Sequence, residues 1–580
     1  MIQRNLFAFF MFVGISLITA CDKQEEKTTV QVENPPVPEM SLEALIGEFT
    51  TGYYRFNPDA AVDNGLHEYD GKLPDFSTTG VSALITWVER MQGRLNDIDR
   101  NILDSKQTLY AQQLEVVLDS IRYIIEDMKV FERHPYYAYS AIDPDLYLAR
   151  EYAPLPVRFS AYMQHVEALP AALTDIKTNL RPMPSTYARL WRMFASGLAE
   201  YISTVPAQVF ADINDPVEKE RMNAVNNRAA AALINMAEWV GELPVIEDFA
   251  LGEERFARML WAFERIDTPL AELKAVAQSD LDRNLNALKL ACEDFLPGAD
   301  ASKCISKLSS NKPPEGPVQA ATRQLTMLRK IVLDRGIVTI PSEEMAVVAE
   351  APPHRRSNSA YISRPGPYEK GVPAIYYIAP PDPTWSEADQ YQYIPGEKDL
   401  LQTSIHEVWP GHFLEGLHTN RSGNPVSEIA SSYTFTEGWA HYTEEMMTDL
   451  GLENDPETRI GQLVNALLRD VRFLSSLGLH TGGMTVAESE QLFLEKAYLD
   501  PGNARQQAAR GTFDPGYLFY TVGKLMIMKL RDDWLAANPG RSLRDFHDTF
   551  LSFGAAPVAL IRKQMLGDHD DGQLLAARDR

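Results

Sequence analysis

Along most of this chain apolar residues return every three, four or seven positions. From 102 to 128, Ile102, Leu103, Leu109, Leu114, Val117, Leu118, Ile121, Ile124, Ile125 and Met128 follow that spacing. It lines one face of a helix with 3.6 residues per turn. Similar patterns predict helix over 153–183, 219–242, 253–292 and 316–334, with prolines and glycines punctuating the ends rather than the middles. Between about 336 and 400 the pattern changes. Ile337-Val338-Thr339-Ile340, Ala346-Val347-Val348-Ala349 and Ala374-Ile375-Tyr376-Tyr377-Ile378 are short β-branched or aromatic runs separated by prolines, which predict a small sheet. From Leu400 helical spacing returns and lasts almost to the end. The expected fold is mainly α, a large helical assembly with a small β-sheet placed just before residue 406.

The first forty residues fit neither pattern. Arg4 is the lone charge before Asp22, and an apolar run extends from Leu6 to Leu17. A bilayer-spanning helix needs about 20 apolar residues, so this run suits the core of an export signal instead. Its end, Leu17-Ile18-Thr19-Ala20-Cys21, resembles a bacterial lipobox, in which the cysteine receives lipid. The alternative is an ordinary export signal followed by a chance cysteine. Residues 22–40 are polar and proline-bearing, as expected of a tether. Asp22 resembles an inner-membrane retention signal of some Gram-negative bacteria. The expected organisation is a lipoprotein signal over 1–20, a flexible tether over 21–40, a helical region over 41–335, a sheet region over 336–400 and a helical catalytic region over 401–580. On this reading the protein is tethered in the bacterial cell envelope, on the periplasmic side, touching membrane only through lipid on Cys21.

Composition narrows the partners. The 580 residues are 45% hydrophobic and 23% charged, as in globular proteins. Acidic side chains outnumber basic ones 80 to 55, a net charge of −25. Such a surface repels phosphate backbones, which argues against nucleic acid as a partner. No feature of the sequence specifies an oligomeric state. Export implies an oxidising compartment, so Cys292 and Cys304, twelve positions apart, are expected to form a disulfide stapling a surface loop. A two-cysteine metal site is the rival, but no histidine lies nearby.

Four of the eleven histidines, His406, His412, His418 and His441, fall within 36 residues. The stretch His406-Glu407-Val408-Trp409-Pro410-Gly411-His412 pairs His-Glu with a second histidine, as in zinc motifs where two histidines hold the ion and the glutamate activates water. Those motifs space the histidines four apart, ~400° around a helix and so on one face. Here they are six apart, ~600°, or about 240° net, which separates them on a regular helix. Pro410 lacks an amide hydrogen and would collide with the carbonyl of His406, and Gly411 admits backbone angles closed to other residues. Together they predict a bulge that returns His412 to the face of His406. The alternative is a helix that stops at Trp409, a Pro-Gly turn, and unrelated histidines.

A glutamate from a following helix commonly completes such sites, leaving the fourth position for water. Over 433–449, helical spacing places Glu437, His441 and Glu444 or Glu445 about a turn apart. Glu437 is the expected ligand. His441 is expected beside it or in contact with substrate. Glu444 and Glu445 read equally well as solvated helix charges and receive no role, and His418 reads as a surface or satisfied core residue. Tyr520 and Tyr517 are candidate oxyanion donors, with burial between helices as the alternative. Arg364 and Arg510 are candidate anchors for a substrate carboxylate.

His406-Glu407-Val408-Trp409-Pro410-Gly411-His412 and Glu437-Gly438-Trp439-Ala440-His441-Tyr442 resemble the two signature blocks of the domain of unknown function 885 family. Its members are bacterial, often lipoproteins, and are grouped by resemblance with gluzincin metallopeptidases. Asn57-Pro58-Asp59-Ala60-Ala61, Gly65-Leu66-His67-Glu68-Tyr69-Asp70 and the stretch from Asp514-Pro515-Gly516-Tyr517 through Gly523-Lys524 match as well. The resemblance implies a mainly helical zinc-peptidase fold holding one Zn²⁺. The resulting expectation is a zinc metallopeptidase acting on peptides, with His406, His412 and Glu437 as ligands and Glu407 as general base. Two other classes compete with it. One is a helical lipoprotein that binds peptide or metal without turnover, which would have no need for Glu407. The other is a zinc hydrolase of a non-peptide amide or ester.

Overall fold

Helices built on the expected periodicity dominate the computed structural model, which describes residues 41–356 and 359–576. The export signal, the tether and Cys21 lie outside the described residues. The spacing at 102–128 becomes a helix at Ser105–Glu126, opened by a capping box in which Asp104 and Gln107 bind each other's backbone amides. Leu155–Asn179, Ser185–Thr204 and Pro216–Glu242 pack around Trp191, Leu198 and Leu233. Pro170 lies inside the first of these, so prolines are not confined to helix ends. The pattern at 253–292 is interrupted and gives two helices, Glu253–Glu264 and Leu270–Phe295. Arg265 takes a left-handed conformation (φ 54°) after the first, and Pro269 caps the second. Among the described residues, no helix is long and apolar enough to cross a membrane.

Cys292 and Cys304 form a disulfide joining Leu270–Phe295 to the helix Ala301–Ser309. Both are buried with Leu288 and Leu308. The link closes the expected surface turn, 296–300, and does so from inside the core, by fastening the helices on either side of it.

The sheet has three strands: β1 (Ala346–Glu350), β2 (Ala360–Ser363) and β3 (Ala374–Ile378). β3 is central, parallel to β1 and antiparallel to β2, with Ala346 opposite Ala374 and Tyr361 opposite Tyr377. The expected strand at Ile337–Ile340 does not form. Side chains take its backbone hydrogen bonds instead: His547 Nδ1 donates to Ile337 O, Thr339 N–H donates to Asp548, and His418 Nε2 donates to Thr339 O. That leaves no ladder for a neighbour to join. His418 is thereby a satisfied, half-buried residue. β2 was missed because its four residues contain one β-branched side chain among Ala, Tyr and Ser.

Candidate metal centre

Four helices supply the candidate site: Glu397–Glu407, Tyr433–Asp449, Pro456–Thr481 and Phe519–Ala537. A fifth, His412–Thr419, follows the first after a four-residue break. Between them the Trp409–Pro410 peptide is cis. The expected bulge inside one helix is thus a stop and a restart, as Pro410 cannot continue the ladder. The histidines nonetheless converge, because Gly411 folds back on the first helix and donates its N–H to Ile405 O at 3.0 Å. A Cβ on Gly411 would lie 1.8 Å from His406 O, so no other residue fits without moving the backbone.

The ring centres of His406 and His412 lie 4.7 Å apart at 85°. Nε2 of each stands 3.3 Å from Glu437 Oε2. One ligand atom from each of the three residues can be chosen so that all lie within 4.8 Å of one another. Glu437 Oε2 is buried, yet it accepts no hydrogen bond. Two imidazole nitrogens and one carboxylate oxygen therefore point at a common space instead of at each other, a donor set that suits Zn²⁺. Burial alone would raise the Glu437 carboxyl, but the facing His412 and His406 hold it well below the usual range.

Behind His406 stands Glu444. Its Oε1 accepts from His406 Nδ1 at 2.6 Å and lies 3.2 Å from Arg469 Nη2. A carboxylate on Nδ1 fixes the ring's rotation and leaves Nε2 to meet an ion once its proton is given up. Burial opposes a charge on His406, but Glu437 and Glu444 outweigh it and push the imidazole up to about 9. Glu445, one residue on, is paired with Arg283 at 2.8 Å and with Lys524 at 3.3 Å. Neither glutamate is a solvated helix charge. Sequence reading missed Glu444 because exposed carboxylates recur at the same helical spacing; its place one turn past His441 was the available signal.

His441 is 0% exposed and lies 3.5 Å from Glu444. It stands beside the carboxylate that holds His406. Burial pushes its imidazole down to about 4. Glu407 ends the His406 helix and is largely buried.

Tyr520 is brought to the site by a close helix crossing. Gly438 and Gly523 meet where Tyr433–Asp449 and Phe519–Ala537 cross, and a Cβ on Gly523 would fall 2.3 Å from Thr434 O. The Tyr520 ring lies 6.2 Å from the His406 ring and nearly parallel to it. Burial first, then the nearby Glu437 charge, raises its phenol, so it stays protonated as a donor. Tyr517 is elsewhere, in the core, donating to Ser475 at 2.7 Å. Arg364 donates to the His412 carbonyl at 2.7 Å and pairs with Glu415 at 2.6 Å, so it braces the second histidine's backbone. Arg510 pairs with Asp514 at 2.8 Å and donates to Tyr433 Oη at 3.1 Å.

Two solved structures share this architecture. A "putative lipoprotein" of unknown function from Shewanella oneidensis is 23% identical, with a TM-score of 0.73 over 91% of this chain and 100% of its own. A "putative lipoprotein" from Colwellia psychrerythraea is 16% identical, with a TM-score of 0.75 over 91% and 99%. The M32 carboxypeptidase of Deinococcus radiodurans R1 is 13% identical over 92% of this chain and 96% of its own, with a TM-score of 0.38, too low to establish a shared fold. No curated protein matches. The family described as "Bacterial protein of unknown function (DUF885)" matches residues 58–565, nearly the whole described chain, and the protein belongs to that family.

Proposed function

We propose that this protein is a zinc-dependent metallopeptidase that hydrolyses peptides in the bacterial cell envelope. One observation carries the reading: His406 Nε2, His412 Nε2 and Glu437 Oε2 converge without hydrogen-bonding one another, while Glu444 holds the far side of His406. These three residues would hold the ion. When bound, it would supply a water of pKa near ~7 and polarise a substrate carbonyl. Glu407, adjacent to a ligand, takes the water's proton and passes it to the leaving amine. Tyr520 donates its O–H to the oxygen on which negative charge develops. The Glu444 carboxylate keeps His406 in one tautomer through the cycle.

The envelope location rests on Cys21 at the end of the apolar run, and it is supported by the two structural relatives bearing the name lipoprotein. Substituting Cys21→Ser is expected to release the protein from membranes or leave it unprocessed. The net charge of −25 supports peptide over nucleic acid as substrate.

The test of the activity is incubation of the full chain, loaded with one equivalent of Zn²⁺, with a mixture of peptides of free and blocked termini, the products read by mass. New amide-bond cleavage that stops on chelation is expected. Metal-replete protein that leaves every peptide intact but hydrolyses small amides or esters would move the assignment to a non-peptide hydrolase.

A further inference from the structure

Three arginines surround Tyr520. Their guanidinium carbons lie 5.8 Å (Arg469), 4.8 Å (Arg472) and 5.9 Å (Arg510) from its ring centre. Two of the three charges are answered: Arg469 by Glu444 at 3.2 Å, and Arg510 by Asp514 at 2.8 Å. Arg472 is not. Its Nε donates to the neutral Gln507 at 2.9 Å, and among the described residues it forms no ion pair. It is only 7% exposed. A buried cation with no counter-ion is unfavourable, and here burial and the neighbouring Arg510 and Arg469 push it down to about 10. It stays charged at neutral pH, with its two Nη groups free to form the bidentate fork that matches a carboxylate.

Resting on the peptidase reading, we propose that Arg472 binds the free C-terminal carboxylate of the substrate, making the enzyme one that removes residues from peptide C-termini. The placement suits this role. Arg472 and His406 both lie against the ring of Tyr520, at 4.8 Å and 6.2 Å from its centre. Each residue of extended chain spans ~3.3–3.6 Å, so a carboxylate one to three residues beyond the bond to be cut reaches it. Arg510 was the residue suggested by sequence, but Asp514 already occupies its fork; Arg510 instead holds Tyr433 beside Tyr520.

The experiment compares benzoyl-glycyl-phenylalanine with its C-terminal amide, which differs only in the charge. Binding is measured by calorimetry on full-length Glu407→Gln protein, with and without zinc, and turnover is measured on protein with Glu407 intact. The free acid is expected to bind roughly 10- to 100-fold more tightly than the amide, as for a charge-assisted hydrogen bond. Arg472→Gln should bring the acid down to the amide and leave the amide unchanged, and Arg472→Lys should recover part of the preference. Equal binding of acid and amide overturns the proposal, as does an Arg472→Gln protein that loses both equally while melting like the parent. Arg472→Lys carries the test alone if Arg472→Gln does not fold. If the acid is preferred in binding but neither compound is cleaved, the anchor stands and the peptidase reading fails.

Discussion

The layer formed by Leu155–Asn179, Ser185–Thr204 and Pro216–Glu242 and the bundle around His406 are both helical and both tightly buried, yet the first interior is largely apolar and the second is rich in charge. The first is filled by Trp191, Phe194, Leu198, Ile202, Met222 and Leu233, and its His165 is buried neutral. The second buries His406, Glu444, Glu445, Arg469, Arg472 and Lys524 at the same depth. Charge costs free energy in a core unless it is paired, so the second interior depends on partners for its charges. The pairing is nearly complete there: Arg283 and Lys524 answer Glu445, Arg469 answers Glu444, and Asp514 answers Arg510. Among the groups there that lack a partner are Glu437 Oε2, without a hydrogen bond, and Arg472, without an ion pair; these are where ion and substrate are proposed to sit.

Breaking the chemical interior without touching the apolar one should have the largest effect. Glu407→Gln is expected to lower kcat about 10²- to 10⁴-fold, the usual range for a general base, while zinc content by atomic absorption stays at one per chain. Undiminished hydrolysis would exclude Glu407 as the base.

Next in size is the backbone that joins the histidines. With a Cβ 1.8 Å from His406 O, Gly411→Ala should separate His412 from Glu437, and the purified protein should retain no zinc after dialysis. His412→Ala should behave alike. Full zinc occupancy in Gly411→Ala would show that the break tolerates a side chain and that the convergence is set elsewhere.

Glu444→Gln makes a finer cut. It preserves shape but replaces the carboxylate on His406 Nδ1, and a 10- to 100-fold weaker zinc affinity is expected from loss of such a partner. A chelator-competition titration measures it, and an unchanged affinity would return Glu444 to a purely structural role.

The apolar layer supplies the converse. Leu198→Ala should cost roughly 2–5 kcal/mol in denaturant unfolding without altering zinc binding or turnover per folded molecule. Loss of zinc in that variant would mean the two interiors are coupled.

The smallest effect concerns acid. His134 and His165 are both pushed down to about 4 by burial, below the ordinary ~6.5 of an unfolded histidine. On acidification the unfolded chain takes up protons first. Their contribution to stability is therefore whole above pH ~6.5 and is lost progressively as pH falls toward 4. The Tm should decline across that window, and His165→Phe should shallow the decline; an unchanged slope would assign the acid sensitivity to other groups.

What the sequence alone determined was mostly local. Apolar spacing specified the helices, because burying one face of a 3.6-residue turn depends on neighbours a few positions away. The residue types and order of His406, Glu407, His412 and Glu437 specified candidate zinc chemistry, and the Pro-Gly pair specified that the backbone must depart from a regular helix. The tertiary structure decided what depends on partners far apart in sequence. Ile337–Ile340 has the composition of a strand, but His547, Asp548 and His418 claim its backbone from other elements. Glu444 looks like any exposed helix carboxylate until the crossing helices exclude water from it and bring His406 to 2.6 Å. Tyr520 and Tyr517 are indistinguishable three residues apart, and the Gly438–Gly523 contact turns one toward His406 while the other meets Ser475. Whether an arginine is neutralised or waiting for an anion is likewise a matter of which carboxylate the packing brings to it. Burial and charge pairing are properties of the assembled core, and no stretch of sequence contains them.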